Sequence, residues 1–363
     1  MKVLILTNNG EGLYKFRKEL IEELSKNNEV FISLPEDKYI KTLTNFGCIY
    51  IKTEFNRKGT NPIKDIKLFN YYLHIIDEIK PDVIFTYTIK PSVYGGLAAK
   101  KKHIPYIVNI TGLGSSIENG GLLSLISLFL YRIGISKAQK VFFQNETNRT
   151  FMLNRKIVTK GNSDLLPGSG VNLDEYKLLE YNKKDTIDFV YIGRIMKEKG
   201  IEQYLNAASY INSKYENTRF HIAGEYEDDY QNEINELINK GIIIFHGSIE
   251  NMVDEIYSKC DCVVHPSYYA EGLSNVLLEA SACGRPIITT DRPGCREVIE
   301  DNLNGFIVKQ KDEKDLEDKI EKFIKLPFEK RKEMGINGRK KVEKEFNRNI
   351  VINKYLEELE KIK

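Results

Sequence analysis

The segment EGLSNVLLEASACGRPIITT, from Glu271 to Thr290, decides the fold prediction because it combines a short helix, a glycine turn and a strand. Ser274 is placed to cap the helix with its hydroxyl, and Gly284 suits a left-handed residue at the helix end. Pro286 prevents the helix from continuing. The helix residues are apolar almost all round, which predicts a helix packed on most sides. The segment therefore predicts a buried helix that leads into a buried strand, as in an α/β protein.

Glu271 and Glu279 stand eight residues apart around the start of this helix. Carboxylates are rarely buried without a partner or a task. Asn275 and Glu279 form one polar stripe, which directs the Glu279 carboxylate toward the helix start. Free backbone N–H groups of Leu273, Ser274 and Asn275 are expected there, where the helix dipole favours a phosphate. We therefore expect Glu279 to bind the hydroxyls of a ribose and Glu271 to face the group attached to the phosphates.

A structural interpretation of the two carboxylates is open at this point. Glu279 would then be an ion-paired core residue, and Glu271 would only complement the helix dipole. The Gly272 turn between them and the strand after them favour the ligand-binding interpretation.

The whole stretch resembles the donor-site signature of the retaining glycosyltransferases of family 4, written E-x7-E, then A-x-G-x-P-[IV]-[IV], then G-x-x-E. The matching residues are Glu271, Glu279, Ala282, Gly284, Pro286, Ile287, Ile288, Gly294 and Glu297. The resemblance implies the GT-B fold, in which two Rossmann-like, doubly wound parallel-sheet domains face a central cleft.

Alternating strand and helix patterns along both halves of the chain agree with this α/β fold class. Six apolar strands are predicted in each half, and a segment rich in glycine, asparagine and charge near residue 170 separates the halves. We expect an acceptor-binding domain at 1–170 and a nucleotide-sugar donor-binding domain at 171–348. As in the family, a helix at about 349–363 is expected to pack back on the first domain.

Composition and charge limit the classes of protein to which the chain can belong. With 363 residues, 41% of them hydrophobic, the chain has room for two cores. Residues 1–165 hold 24 Lys/Arg against 15 Asp/Glu, a net charge of +9, whereas the rest of the chain has a net charge of −7. The first half is therefore expected to bind an anionic partner. The scattered cysteines form no metal or redox motif, and neither a signal peptide nor a membrane span is indicated. A cytoplasmic protein, or one on the inner face of the membrane, is expected.

The loop after the strand IDFVYI carries Gly193, Arg194 and Lys199. A guanidinium and an ammonium five residues apart can clamp a diphosphate, although a solvated basic loop is the alternative. The family places an Arg and a Lys in this loop to bind the donor diphosphate, which implies that role for Arg194 and Lys199. Ser248 lies in a turn that resembles the family segment whose backbone reads the nucleobase, and Gly272 completes the implied donor site.

Two glycine-bearing loops of the first half follow predicted strands, and we expect them to contact the acceptor and its phosphates. Gly10 and Gly12 follow the first strand, although a plain strand-to-helix turn is the alternative. Thr111, Gly112 and Gly114 follow the strand YIVNI. Many family members carry a histidine near this second loop, but this sequence has none there.

An apolar helix is predicted at 120–131, followed by Arg132, Lys137 and Lys140. It is either a core helix or a helix in a membrane interface, with Lys100, Lys101 and Lys102 as further contributors. The TGLGS loop and this helix resemble a branch of the family that extends polyprenyl-diphosphate-linked sugars for capsule, O-antigen or bacterial N-glycan assembly. The implied partners are a nucleotide-sugar donor, a polyprenyl-diphosphate-linked saccharide and the cytosolic membrane surface, without nucleic acid.

The resemblance implies transfer of a hexose or N-acetylhexosamine from a nucleotide-sugar, most simply a UDP-sugar, with retained configuration. Arg194 and Lys199 would stabilise the leaving diphosphate, and Glu271 would hold the sugar. No metal and no cofactor is expected, since the sequence has no Asp-x-Asp. Two alternatives are a GT-B enzyme acting on the nucleotide-sugar itself, such as a UDP-N-acetylglucosamine 2-epimerase, and a non-catalytic nucleotide-sugar-binding subunit.

Overall fold

The computed structural model describes residues 1–54, 61–118 and 120–362, which form two compact units. Unit 1 comprises Met1–Ser169 with Asn349–Lys363, and unit 2 comprises Gly170–Arg348. Each unit contains a parallel sheet with helices between its successive strands. The predicted fold class, two Rossmann-like doubly wound sheets, is confirmed.

The sheet of unit 1 has the strand order β3-β2-β1-β4-β5-β6-β7, and all of its pairs are parallel. Its strands are β1 (Lys2–Leu6), β2 (Glu29–Leu34), β3 (Ile49–Lys52), β4 (Val83–Tyr87), β5 (Tyr106–Ile110), β6 (Lys140–Phe143) and β7 (Ser163–Leu165). The sequence predicted the first six. It missed β7 because a three-residue strand with two polar residues has no hydrophobic pattern to detect.

The helices described in the first segment of unit 1, up to Ser169, are α1 (Gly10–Ser25), α2 (Ile40–Thr44), α3 (Pro62–Ile79), α4 (Gly96–Lys102), α5 (Ser115–Glu118), α6 (Gly121–Ile135) and α7 (Glu146–Asn154). A π-helical turn, Pro91–Gly95, leads directly into α4. Alternate residues of β1 point to two separate cores: Leu4 and Leu6 pack with α3 and α4, whereas Val3 and Ile5 pack with α1.

Of the two alternatives left open for helix α6, the fully buried core helix does not hold, because the outer face of the helix is exposed. Leu122 is 74% exposed, and Leu125 and Phe129 are also exposed. Ser124 is the buried residue of the first turns, and its hydroxyl donates a hydrogen bond to the Ile117 carbonyl at 3.0 Å. Several apolar side chains in the first turns of α6 therefore face outward, whereas Tyr131 and Ile135 near its end pack in the core. Within the described residues, no helix combines the length and apolar character needed to cross a bilayer.

Unit 2 has the strand order β10-β9-β8-β11-β12-β13. Its strands are β8 (Ile187–Ile192), β9 (Thr218–Ala223), β10 (Ile243–Gly247), β11 (Cys262–His265), β12 (Ile287–Thr290) and β13 (Gly305–Val308). Its helices are α8 (Ile201–Asn212), α9 (Gln231–Asn239), α10 (Asn275–Ala282), α11 (Glu313–Ile324) and α12 (Phe328–Glu345), with shorter turns at Lys197–Lys199, Val253–Tyr257 and Arg296–Val298. The helix and strand predicted within 271–290 are present as α10 and β12, and Gly284 between them is left-handed at φ 70°.

The last helix, α13 (Arg348–Glu360), returns to unit 1. Val351, Ile352, Tyr355 and Leu359 join the core that β1 and α1 form. The Asn109 amide donates to the Tyr355 hydroxyl at 2.9 Å, which ties α13 to β5. Lys363, the last residue of the predicted helix at 349–363, lies outside the described residues.

Candidate active site

The loops after β8 and β11 carry the charged candidates of unit 2. The two strands are adjacent in the sheet. From β8 the sheet is extended in one direction by β9 and β10, and from β11 it is extended in the other direction by β12 and β13. Ligands of doubly wound sheets bind at the carboxyl ends of the strands where the order reverses. The topology therefore places both loops at the expected ligand-binding edge of unit 2.

The Lys199 ammonium contacts Glu271 Oε1 at this edge, although 72 residues separate them in the sequence. Their side chains are only 12% and 14% exposed. Gly200 makes the approach possible because it is left-handed, at φ 78°. Its backbone also lies so close to β11 that a Cβ would stand 2.2 Å from the Pro266 carbonyl oxygen. A glycine at 200 is therefore required for this loop to rest on the end of β11.

Two further side chains lie close to the Glu271 carboxylate. The Ser267 hydroxyl donates to Glu271 Oε1 at 3.2 Å, and His265 Nε2 lies 3.8 Å from the same oxygen. Burial alone would raise the pKa of Glu271, but Lys199 and His265 hold that pKa well below its usual range. Burial lowers the pKa of His265, whose side chain is almost fully enclosed. At neutral pH the Glu271 carboxyl is therefore ionised and the His265 imidazole is neutral.

Arg194 and Lys199 share one aromatic neighbour. The Arg194 guanidinium lies 5.3 Å from the Tyr269 ring centroid, and the Lys199 ammonium lies 5.4 Å from the same centroid. Both distances are in the range of cation–π attraction. Arg194 also lies 3.6 Å from Glu227 Oε2 and is about half exposed. The ring therefore holds both cations near each other while leaving the guanidinium accessible.

The start of α10 differs in two respects from the prediction. Ser274 does occupy the N-cap position, but its hydroxyl makes no capping bond and instead lies 3.3 Å from His265 Nε2. Its backbone N–H is not free, because it donates to the Gly294 carbonyl at 2.8 Å. Gly294 N–H in turn donates to Glu297 Oε2 at 2.7 Å. The G-x-x-E part of the signature thus fixes the loop before α10.

Glu279 lies one turn into α10, on the same face as Asn275. The Tyr257 hydroxyl donates to Glu279 Oε2 at 3.1 Å. Burial first, and the nearby Glu279 charge second, raise the pKa of Tyr257, so the phenol stays protonated as a donor. Asn275 Oδ1 is buried and makes no hydrogen bond within the part of the chain that the structure describes. This stripe therefore offers a buried acceptor that protein atoms leave unused.

Ser248 follows β10, two strands from β8, and its side chain is exposed. The preceding Gly247 is left-handed, at φ 67°, and its carbonyl accepts from Gly224 N–H at 2.8 Å. His246, at the end of β10, lies 3.0 Å from His221 Nδ1 through its Nε2. Recognition of a nucleobase by this backbone stays a prediction.

The predicted acceptor loops lie at the carboxyl ends of β1 and β5 in unit 1. Gly10 N–H donates to the Asp37 carboxylate at 2.6 Å, and Gly12 N–H donates to the Asn9 side chain at 2.7 Å. The positive end of α1 is therefore already complemented by a carboxylate of this chain. Thr111 is exposed, and Gly112 and Gly114 have φ values of 151° and 80°. The role of these loops in acceptor binding stays a prediction.

Sequence reasoning missed three residues of the unit 2 site. His265 ends the predicted strand CVVHPS, and its position at a strand's carboxyl end could have marked it. Tyr269 and Tyr257 carry no comparable signal, because their roles depend on contacts with residues far away in the sequence. No group of three His, Cys, Asp or Glu side chains that could hold a metal ion occurs among the residues described.

Comparison with known proteins gives consistent matches over both units. Residues 178–341 match the family described as glycosyl transferases group 1, and residues 2–145 match glycosyl transferase 4-like. The chain is 30% identical over 341 residues to the N,N'-diacetylbacillosaminyl-diphospho-undecaprenol alpha-1,3-N-acetylgalactosaminyltransferase of Campylobacter jejuni, with 88% of each chain covered. It is 27% identical to the capsular polysaccharide biosynthesis glycosyltransferase CapM of Staphylococcus aureus, with 96% of this chain and 94% of CapM covered. The crystal structure of Anabaena HepE in complex with UDP and glucose shares the fold, with a TM-score of 0.80 at 17% identity over 99% of this chain and 100% of HepE.

Proposed function

Because this chain belongs to the group 1 glycosyltransferases, we propose that it is a retaining enzyme that needs neither a metal nor a cofactor. In the proposed reaction, a hexose or N-acetylhexosamine moves from a UDP-sugar to a saccharide carried on a polyprenyl diphosphate. The product would enter a bacterial surface polysaccharide or glycan. The Campylobacter jejuni relative acts on a diphospho-undecaprenol sugar by its name, which supports this class of acceptor.

The observation that carries the proposal is the buried contact between Lys199 and Glu271 at the reversal point of the unit 2 sheet. Transfer separates charge, since negative charge develops on the departing diphosphate while positive charge develops at the anomeric carbon. A carboxylate and an ammonium fixed side by side match this separation before the reaction begins. Arg194 adds a second, accessible cation that can fork two phosphate oxygens.

In this proposal the Glu271 carboxylate faces the donor sugar and stabilises positive charge at the anomeric carbon. Its depressed pKa keeps it ionised at neutral pH. Because His265 is neutral, it does not act as a second cation that competes with Lys199 for the Glu271 carboxylate. We assign Glu271 no role as a covalent nucleophile.

Glu279 and Asn275 are proposed to hold the ribose. A ribose presents two neighbouring hydroxyl donors, and Glu279 with the unused Asn275 Oδ1 supplies acceptors on one face of α10. Tyr257 holds the Glu279 carboxylate through its hydroxyl. The backbone near Gly272 and Leu273, before α10, would meet the diphosphate, and Ser248 would lie near the base.

The acceptor is proposed to approach the loops of unit 1 at Gly10, Gly12, Thr111, Gly112 and Gly114. Because its isoprenoid part is held in a membrane, the enzyme would work in the cytoplasm, peripherally bound to the inner face of the cell membrane. The +9 charge of residues 1–165 supports contact with an anionic surface.

The test is a screen of UDP-, GDP- and dTDP-sugars against polyprenyl-diphosphate-linked sugars, with products identified by mass spectrometry after treatment of the protein with EDTA. We expect transfer from a UDP-sugar without added metal. Conversion of a UDP-sugar without any acceptor would instead support an epimerase, and the absence of nucleotide binding by calorimetry would support a non-catalytic subunit.

Two matched variants test the roles of the carboxylates. Glu279→Gln should weaken UDP binding, because it removes the charged acceptor for the ribose hydroxyls. Glu271→Gln should bind UDP and lose at least about a hundredfold in kcat, as for other groups that stabilise transition-state charge. The reverse pattern would refute this division of roles.

A further inference from the structure

The loop after β4, residues 88–90, lies where the strand order of the unit 1 sheet reverses. β1 and β4 are adjacent in this sheet. From β1 the sheet is extended in one direction by β2 and β3, and from β4 it is extended in the other direction by β5, β6 and β7. Ligands of doubly wound sheets bind beyond the carboxyl ends of the strands at such a point. The loops after β1 and β4 therefore flank the expected ligand-binding crevice of unit 1.

The loop after β4 holds Thr88 in an unfavourable backbone conformation. Thr88 has a φ of 68°, and in the part of the chain that the structure describes it is the only β-branched residue with a left-handed φ. Ser92 N–H donates to the Thr88 carbonyl at 3.1 Å, and Lys90 Nζ donates to Asp65 Oδ1 at 2.7 Å, so the loop is fixed on its far side. The Thr88 hydroxyl is buried and makes no hydrogen bond to any described residue. Strained backbone of this kind is concentrated at active sites and ligand clamps, and a buried hydroxyl needs a partner.

Arg17, in the second turn of α1, lies beside the strand end that leads into this loop. Its guanidinium is 5.3 Å from the ring centroid of Tyr87, the last residue of β4. The Arg17 side chain is only 4% exposed. Its Nη1 donates to the Phe16 carbonyl at 2.7 Å, whereas its Nε is buried and makes no hydrogen bond within the described residues. The ring contact therefore fixes a buried guanidinium next to the residue that precedes Thr88.

Arg17 forms no ion pair among the residues described. Its phenolic neighbours are neutral, because burial raises the pKa of both Tyr87 and Tyr355 and the nearby Arg17 only partly opposes that rise. The Asp37 carboxylate, at the start of the same helix, accepts from two backbone amides instead. A cation that is buried without a counter-charge costs stability, and its field extends into the neighbouring crevice. Arg17 is thus in place to attract an anion to the loop after β4.

We propose that the loop after β4 binds the diphosphate of the lipid-linked acceptor, with the Thr88 hydroxyl as a donor and Arg17 as a positioning residue. Assignment of the anion to the acceptor rests on the proposed function; the anion site itself does not. A diphosphate fits because it combines several negative charges with oxygens that accept hydrogen bonds. The Thr88 hydroxyl can donate to one of these oxygens without breaking a protein hydrogen bond. Since the donor diphosphate is assigned to Arg194 and Lys199 of unit 2, each diphosphate has its own cations.

Calorimetric titration with geranyl diphosphate, a short and water-soluble polyprenyl diphosphate, tests the site on the full chain. We expect the wild type to bind this probe, and Arg17→Met to bind it about tenfold more weakly, as for the loss of a charged partner. Thr88→Val removes the hydroxyl but keeps the branched shape, and it should weaken binding by about threefold to tenfold. Lys26→Met is the matched control and should bind as the wild type does, because it removes an exposed cation at the end of the same helix.

Three readouts separate a ligand site from a purely structural role of Arg17. Arg17→Met should melt at the same temperature as the wild type or higher, since methionine replaces a buried charge. Its affinity for UDP should be unchanged, because the donor site lies in unit 2. In transfer assays it should raise the KM for the acceptor and leave the KM for the UDP-sugar unchanged. Arg17→Lys keeps the positive charge and should recover part of the affinity for geranyl diphosphate.

The outcomes also separate this inference from the proposed function. Equal affinity of the wild type and Arg17→Met for geranyl diphosphate, or no binding by the wild type, would overturn the anion site. Binding that is lost in Arg194→Met instead would place the probe in unit 2 and would overturn it too. If Arg17→Met melts at a lower temperature, Thr88→Val decides, because it changes no charge, and wild-type affinity in that variant would refute the inference. Arg17-dependent binding without sugar transfer from any nucleotide-sugar would refute the proposed function alone.

Discussion

Replacement of Lys199 by methionine tests the ion pair at the centre of the site. Methionine fills much of the volume of the lysine side chain, but it leaves the Glu271 carboxylate buried without its ammonium. Removal of one partner of a buried ion pair costs about 3–5 kcal/mol. We expect about 3 kcal/mol at pH 7, because the Ser267 hydroxyl bond remains and His265 can bind a proton beside the carboxylate.

The pH dependence of this loss has a predicted sign. In the wild type the pKa of Glu271 is lower folded than its ordinary 4.5, so its contribution to stability is complete above about pH 4.5 and is lost as pH falls through the folded pKa. In Lys199→Met, burial is no longer opposed by the ammonium, and the folded pKa rises above the unfolded one. The variant is then less stable than the wild type at neutral pH, and its stability rises as the pH falls. The difference between the two proteins should narrow from pH 7 to about pH 5.

The free energy of unfolding of unit 2 alone is measured by urea-dependent hydrogen exchange of the β11 and β12 amides. A measurement on unit 2 alone is needed because a chain with two domains need not unfold in a single step. Lys199→Met/Glu271→Gln is the control, since it removes both charges and should recover at least about 2 kcal/mol of the loss. A coupling energy below about 0.5 kcal/mol, or a loss that does not change with pH, would refute the reasoning.

Three further changes probe the surroundings of the pair and a second buried charge. Gly200→Ala should lower both thermal stability and UDP affinity, because the new Cβ meets the Pro266 carbonyl and a left-handed φ is strained; unchanged calorimetry would contradict the contact. Tyr269→Leu should weaken UDP binding about fivefold by freeing the Arg194 guanidinium. Tyr269→Phe keeps the ring but loses the hydroxyl that hydrogen-bonds to Arg194, so its affinity should lie between those of Tyr269→Leu and the wild type. Arg17→Met should leave stability unchanged or raise it by about 1–2 kcal/mol, since Arg17 is 4% exposed and has no ion pair among the residues described; a loss above about 2 kcal/mol in urea unfolding would show that its carbonyl and ring contacts outweigh its burial.

Much of the fold was predictable because its signals are local. Gly284 and Pro286 end α10 through backbone geometry alone, and apolar runs of four to six residues marked every strand except β7. Arg194 and Lys199 were selected because they follow the carboxyl end of a predicted strand and match the family's loop, and Glu271 because it precedes a predicted buried helix in the family signature. None of their contacts was known. Local pattern and topology are enough to say which loops carry the chemistry.

Pairing within those loops was not predictable, because it depends on side-chain positions that the sequence does not encode locally. Lys199 was assigned to the diphosphate and Glu271 to the sugar as separate residues, yet the two are in contact. Ser274 has the residue type and position of a helix cap, but the buried His265 imidazole competes for its hydroxyl. A capping preference of about 1 kcal/mol is readily overridden by such a neighbour.

Helix α6 shows how a topological rule supplies what hydropathy cannot. An apolar run of this length is compatible with burial or exposure. In the structure, the buried residues Ser124, Tyr131 and Ile135 show which side of α6 faces the sheet. Once that side is known, the direction of the chain is decisive: α6 begins beyond the carboxyl end of β5 and ends before β6. Its exposed leucines must then share an edge with the loop at Thr111. The rule that located the donor site in unit 2 therefore also brings the apolar surface of unit 1 to its own predicted acceptor loops.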